Sequence, residues 1–157
     1  AQVDAIMIGA ETLRQDNPRL TTRGIRGARQ PWRVVLSRSG DLPRSAHLFA
    51  DRAADRTLVY RNKTLARVLA DLGKKEITSV LIEGGGDLLG QAFDARLVDK
   101  VQFFLAPLLT GGPVPAVAGK GAGSTGNGAR LREMQSEKID RDLCLTGYPE
   151  WSPVGNE

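Results

Sequence analysis

The segment Glu83-Gly84-Gly85-Gly86-Asp87 concentrates the features that could hold a ligand. It follows the apolar run Ile77-Thr78-Ser79-Val80-Leu81-Ile82 and precedes Leu88-Leu89-Gly90-Gln91-Ala92-Phe93, so a buried strand gives way to a helix across three glycines. Ligands of open α/β sheets bind beyond the carboxyl ends of strands. Glycines there let the main chain approach a pyrophosphate, while the helix start offers N–H groups and the positive end of its dipole. A nucleotide phosphate fits such a turn. Three glycines also suit a tight strand-to-helix turn with no ligand, and Asp87 could serve as the helix N-cap.

A second group lies in Asp16-Asn17-Pro18-Arg19-Leu20-Thr21-Thr22-Arg23, which puts a carboxylate, hydroxyls and arginines into one loop. The planar fork of arginine donates two hydrogen bonds at once to a phosphate, so Arg19 or Arg23 could hold a substrate phosphate. An exposed basic loop with Asp16 pairing locally is the alternative. Two other glycine motifs carry less. Gly121-Ala122-Gly123-Ser124-Thr125-Gly126 matches the dinucleotide fingerprint formally, but no strand enters it and no helix leaves it. Gly119-Lys120-Gly121 has glycine where a P-loop needs Ser or Thr. Both read as flexible loop.

One histidine, His47, and one cysteine, Cys144, cannot assemble a Cys/His metal site, and no histidine-dependent triad finds its partners. Zinc hydrolase and deaminase chemistry is therefore not expected of these residues. Cys144 sits in Asp142-Leu143-Cys144-Leu145, which alternates like a strand, and is read as a packing residue. The net charge of +4, from 22 Lys+Arg against 18 Asp+Glu, is scattered and accompanied by only 5% aromatics. That surplus suits a phosphorylated small ligand or a solvated basic surface, and no nucleic-acid partner is expected. At 157 residues, with 41% hydrophobic, the chain has the size and composition of one domain. No apolar run approaches the roughly 20 residues that span a bilayer. Ala1-Gln2-Val3-Asp4 carries no signal-peptide features, so a cytoplasmic protein without a membrane partner is expected.

The elements that must position these groups alternate. Val3 to Ile8 reads as a strand stopping at Gly9, Glu11 to Gln15 as one or two helical turns, and Trp32 to Leu36 as a second strand closed by Ser37-Arg38-Ser39-Gly40. Thr57 to Tyr60 is a third strand, and Leu65, Val68, Leu69 and Leu72 have helical spacing with Gly73 as a stop. After the glycine turn, Leu97 to Leu105 supplies another strand, Thr110 to Gly128 a glycine-rich loop, and Leu131 to Ile139 with Asp142 to Thr146 a hairpin across Asp140-Arg141. Strands alternating with helices before a terminal hairpin indicate a mixed α/β sheet covered on both faces.

Taken together the segments resemble the reductase (C-terminal) domain of riboflavin-specific deaminase/reductases, the RibD C-terminal domain, of the dihydrofolate reductase-like superfamily. The resemblance rests on Val3-Asp4-Ala5-Ile6-Met7-Ile8-Gly9 with Thr12 and Asp16-Asn17-Pro18-Arg19-Leu20-Thr21; on Arg33-Val34-Val35-Leu36 with Leu42-Pro43; on Val80 to Gly86; and on Leu97-Val98-Asp99 through Ala106-Pro107 to Gly111-Gly112. It implies a dihydrofolate reductase-like α/β fold: a mixed, mainly parallel sheet with helices on both faces and a C-terminal β-hairpin. It also implies NADPH-dependent reduction of 5-amino-6-(5-phosphoribosylamino)uracil to the ribitylamino product, by a homodimer. Another pteridine or pyrimidine reductase of this superfamily, and a non-catalytic nucleotide-binding remnant, are the alternatives.

The resemblance assigns roles as well. Thr12 and Asp16 would line the NADPH site, and Gly85, Gly86, Asp87, Leu88 and Leu89 would wrap its pyrophosphate. Ser37 and Arg38 would meet the adenosine 2′-phosphate, although the family often has Asp in place of Ser37. Leu20 and Arg23 would contact the substrate and its ribose phosphate, and Glu83 would hold the substrate beside the nicotinamide or help move a proton at the ribosyl oxygen. The family domain normally begins with a further strand and helix, carrying Ser-Leu-Asp-Gly-like and Gly-x-Ser-x-Trp-Ile-like segments. Residues 1–157 are thus expected to form a single reductase domain lacking that N-terminal strand and helix, with none of the H-x-E and P-C-x-x-C ligands of the deaminase half.

Overall fold

Apolar, partly β-branched stretches form the centre of the molecule, a computed structural model that describes residues 3–113 and 115–151. In chain order the elements are β1 (Ala5–Gly9), α1 (Ala10–Asp16), β2 (Trp32–Ser37), α2 (His47–Ala50), β3 (Thr57–Arg61), α3 (Leu65–Gly73), β4 (Val80–Gly84), α4 (Gly86–Asp94), β5 (Val101–Leu105), β6 (Arg130–Ile139) and β7 (Asp142–Glu150). The first four strands make a wholly parallel sheet in the order β3-β2-β1-β4. The last three make an antiparallel sheet in the order β5-β7-β6, whose β6–β7 pair is the expected hairpin. The fold is thus the mixed α/β architecture anticipated, with a mainly parallel sheet and helices on both faces.

Side-chain alternation sorts the two faces. Met7 and Val34 point to one face, where they meet Leu65, Val68 and Leu72 of α3 and Leu88 and Ala92 of α4. Ile8 and Val35 point to the other, against Leu13 of α1 and Ala46 and Leu48 at α2. Leu65, Val68 and Leu72 recur at helical spacing because α3 buries one stripe only. Truncating a fully buried leucine such as Leu72 to alanine costs about 2–5 kcal/mol.

Two strands begin later than their apolar runs suggest. After α3 the chain turns through left-handed Glu76, and the Ile77 N–H closes on the Leu72 carbonyl at 3.1 Å. Thr78 and Ser79 then clasp Asp4: its carboxylate accepts from the Thr78 N–H and hydroxyl at 3.1 and 3.0 Å, and from those of Ser79 at 3.1 and 2.9 Å. The Ser79 hydroxyl leads the hydrogen bonds that lower the Asp4 pKa from its ordinary value. The N–H groups of these residues go to a carboxylate rather than to a ladder, although the Ser79 carbonyl already accepts the Asp4 and Ala5 N–H groups, and β4 starts at Val80. The same closure follows α4, with left-handed Arg96 and Leu97 N–H bonded to the Ala92 carbonyl at 2.9 Å, and β5 starts at Val101. Cys144 is buried in β7 with its sulfur 3.4 Å from Gln102 Nε2, a packing position.

Candidate active site

Leu81 and Glu83 share the exposed side of β4, and Ile6 of β1 stands beside them; these three make the floor of a cleft of about 430 Å³. The register between β1 and β4 shifts after Met7, so that Ile82 faces Met7 while Gly84 faces Ile8. Glu83 is the extra residue of this bulge, and bulges re-aim side chains next to sites. Above the floor, one wall is the 17–23 loop, which brings Arg19, Leu20 and Arg23; the other is His47 at the start of α2.

The walls are joined. Asn17 ends α1 in the left-handed conformation, its N–H capping the Leu13 carbonyl at 3.1 Å, and its side-chain oxygen accepts the His47 N–H at 2.9 Å. Further along, Gln30 bridges Thr22 through both its amide oxygen and nitrogen, at 2.9 and 3.2 Å, closing the basic 22–30 excursion. A cleft lined by two arginines, one carboxylate and apolar residues can receive an anionic group of a ligand through the arginines and a hydroxyl or ring edge through the carboxylate.

Beyond Glu83 the chain turns into α4. Gly84 has φ +143°, a conformation open to glycine, and the peptide to Gly85 is cis. Gly85 is the N-cap of α4 with no side-chain hydrogen bond, so Asp87 is not the cap but the second helical residue. A methyl group on Gly85 would lie 3.2 Å from Thr12 Oγ1, which puts α1 and the glycine turn in contact. Gly86 and Gly90 have a different neighbour: a methyl on Gly86 would meet the Pro115 carbonyl oxygen at 2.5 Å, and one on Gly90 would lie 2.6 Å from Gly119 N. The 115–121 segment thus packs along α4, with Ala118 N–H bonded to the Gly86 carbonyl at 3.0 Å. Asp94 holds the same segment through the Lys120 and Gly121 N–H groups, at 2.8 and 3.2 Å. Part of the glycine-rich loop is therefore anchored, and the open part of the turn is at Gly84, where an added methyl would meet nothing within 4 Å.

The structure brings Leu20, Arg23 and Glu83 into one cleft, and Thr12 and Gly85 into contact beside it. Asp16 is exposed at the end of α1, Leu89 is half-buried and Leu88 is buried in the core. Ser37 is also buried, its hydroxyl accepting the Gly40 N–H at 2.9 Å, and Arg38 is exposed on the turn that follows. Near it a second cleft of about 350 Å³ is lined by Arg44 and Arg61 with Asp41, and Arg61 is the β3 partner of Ser37. His47, Arg44 and Arg61 escaped sequence reasoning because nothing local marks them; only the fold brings them to clefts. Among the described residues no cluster of His, Cys, Asp or Glu could hold a metal ion, and no helix is long and apolar enough to cross a membrane.

The RibD C-terminal domain family model matches residues 1–145. The riboflavin biosynthesis protein RibD of Mycobacterium tuberculosis is 36% identical over 149 residues, covering 93% of this chain and 42% of that protein. The chain thus spans less than half the length of that relative. The 2,5-diamino-6-ribosylamino-4(3H)-pyrimidinone 5′-phosphate reductase of Aquifex aeolicus is 27% identical over 180 residues, covering 98% of this chain and 78% of that one. Among solved structures, RibD of Acinetobacter baumannii superposes with a TM-score of 0.81 at 24% identity, covering 94% of this chain and 47% of that one. A dihydrofolate reductase from Enterococcus faecalis, complexed with NADP(H) and RAB-propyl, superposes with a TM-score of 0.55 at 12% identity, over 92% of this chain and 73% of that one.

Proposed function

Because this chain belongs to the RibD C-terminal domain family, we propose that it reduces the ribosyl group of 5-amino-6-(5-phosphoribosylamino)uracil, with NADPH as hydride donor, in riboflavin biosynthesis. The observation that carries this reading is the cleft itself. Arg19, Arg23 and Glu83 line one cleft together with the apolar Ile6 and Leu81, and Glu83 lies two residues before Gly85, the glycine that touches Thr12.

The residues suit a dinucleotide on one side of the turn. At Gly85 a bare main chain lies beside the Thr12 hydroxyl at a helix start, a combination that favours a pyrophosphate. Thr12, Gly85, Gly86, Asp87 and the main chain of Leu88 and Leu89 would hold it, with Asp16 further along α1 and Ser37 and Arg38 at the adenosine end. When bound, the dinucleotide supplies hydride to C1 of the opened ribosyl group. Arg23, with Arg19, binds the substrate phosphate, Leu20 packs on the substrate, and Glu83 hydrogen-bonds it and helps the proton reach the ribosyl oxygen. Positioning of two ligands is the main contribution asked of the protein.

Each sheet has two edge strands among the described residues, β3 and β4 in the first and β5 and β6 in the second, and β4, which carries Glu83, pairs only with β1. This supports a further strand and helix of the family domain completing the sheet beside the cleft. Exposed Phe104, Leu105, Leu108, Leu109 and Leu143 at one end of the second sheet support a homodimer contact, and the bacterial relatives support a cytoplasmic location.

The name of the Aquifex aeolicus relative favours one second reading, a reductase acting on the corresponding 2,5-diamino-pyrimidinone phosphate. Loss of reduced-nicotinamide absorbance in the full-length polypeptide, with each pyrimidine and its dephosphorylated form, tests both. Faster turnover of the phosphorylated aminouracil supports the first reading, and preference for the diamino compound supports the second. NADPH binding without hydride transfer to either would mark a non-catalytic remnant.

A further inference from the structure

Arg33 lies on β2 with no exposed surface, a charge placed inside an apolar sheet beside its register partner Ile6, which lines the cleft. Its guanidinium is almost fully engaged. Nη1 donates to Asp51 Oδ2 at 2.7 Å and to the Arg19 carbonyl at 3.2 Å, Nη2 donates to the Leu48 carbonyl at 2.8 Å, and Nε donates to Thr57 Oγ1 at 3.1 Å. The Thr57 hydroxyl in turn donates to the same Leu48 carbonyl at 2.8 Å, and Asp51 Oδ1 accepts the Ala53 N–H at 3.0 Å. A buried ion pair is a poor route to stability, because desolvating both partners offsets their attraction and apolar residues of similar volume do as well. What distinguishes this one is where its bonds end. Arg19 belongs to the loop that forms one wall of the cleft, and Leu48 follows His47, which forms the other.

We propose that Arg33 is a positioning residue for the substrate cleft: one buried guanidinium ties the Arg19–Arg23 loop and the His47 wall to β2 and so fixes the separation of the groups that receive the phosphorylated substrate. It touches no substrate itself. The inference rests on the proposed reading of the cleft as the substrate site, and it adds a determinant that lies beneath the site. A lysine at this position keeps the charge but, as a single ammonium on a flexible stem, cannot reproduce the fork that spans Arg19, Leu48, Asp51 and Thr57.

The test compares Arg33→Lys and Thr57→Val with the parent in the full-length polypeptide. Misplacement of binding groups is expected to raise KM for the phosphorylated pyrimidine by about tenfold while kcat stays within about threefold. The dissociation constant for NADPH should not move, because the Arg33 guanidinium bonds Arg19, Leu48, Asp51 and Thr57 and none of the residues proposed to hold the dinucleotide. Amide hydrogen exchange should speed up at residues 19–23 and 47–49 and stay slow along β1 and β2, a readout that needs no substrate. A purely structural role would instead lower the melting temperature and the active fraction, with KM unchanged; that pattern, or exchange increased evenly across the sheet, overturns the proposal. Thr57→Val leaves the Arg33–Asp51 pair in place and carries the test should Arg33→Lys not fold. If the parent binds and turns over neither phosphorylated pyrimidine, the substrate reading fails; if the parent is active and neither variant changes KM or loop exchange, the role of Arg33 fails.

Discussion

Replacing Gly90 by alanine sets two known effects against each other. Glycine inside a helix costs about 1 kcal/mol relative to alanine, so on propensity alone Gly90→Ala should stabilise α4. The structure reverses the sign. The new methyl would fall inside the van der Waals envelope of the Ala118 carbonyl and lie 2.6 Å from Gly119 N, both main-chain atoms. Relief requires the 118–119 main chain to move off the helix, which breaks or stretches the Ala118 N–H to Gly86 carbonyl bond (3.0 Å) and the two N–H bonds to Asp94 (2.8 and 3.2 Å). Such hydrogen bonds contribute about 0.5–1.5 kcal/mol each, and somewhat more to a carboxylate. Losing all three costs about 3 kcal/mol, so a net destabilisation of about 2 kcal/mol is expected after the propensity gain. Urea unfolding gives the stability change, and hydrogen exchange at the Lys120 and Gly121 amides reports the loop. An alanine variant as stable as the parent, with those two amides still protected, would refute the packing of the loop on α4.

Glu83→Gln keeps the shape of the side chain and removes its charge; kcat is expected to fall about 10²-fold or more with little change in NADPH affinity, measured by steady-state kinetics and fluorescence titration. Arg38→Ala should weaken NADPH selectively over NADH, and an unchanged preference would move the 2′-phosphate away from Ser37 and Arg38, toward the neighbouring cleft of Arg44 and Arg61. Asp4→Asn addresses pH. The folded pKa of Asp4 lies below its ordinary 3.8, so the unfolded chain takes up its proton first as pH falls. The stabilisation is therefore complete above the unfolded value and is lost as pH drops through the folded one. Melting temperatures of parent and variant should converge on acidification across that range.

The glycine turn and the strand before it were legible because an apolar run, three glycines and an apolar helix follow each other directly, and no distant residue is needed to recognise them. α3 was legible for the same reason, its stripe of Leu65, Val68 and Leu72 being local. α2 was not, since four residues give no period, and its place in the cleft depends on Asn17, 30 residues earlier, accepting the His47 N–H. Arg33 read as one polar residue in a strand; its burial is set by Leu48, Asp51, Thr57 and Arg19, which only the folded chain assembles. The glycine-rich 110–128 segment read as flexible because its anchors are main-chain contacts at Gly86 and Gly90 and the carboxylate of Asp94, 26 residues before Lys120, none of which is marked within the segment. Of the site, then, the residues of β4 and the arginine loop were visible, and the second wall with its support was not.

The most direct test of the account is the crystal structure of the full-length polypeptide soaked with NADPH. The pyrophosphate should lie against Gly85 beside the Thr12 hydroxyl, with the nicotinamide end toward Glu83 and the arginine-walled cleft left for the substrate. Density for the dinucleotide elsewhere, with the Gly85 turn still closed against Thr12, would contradict it.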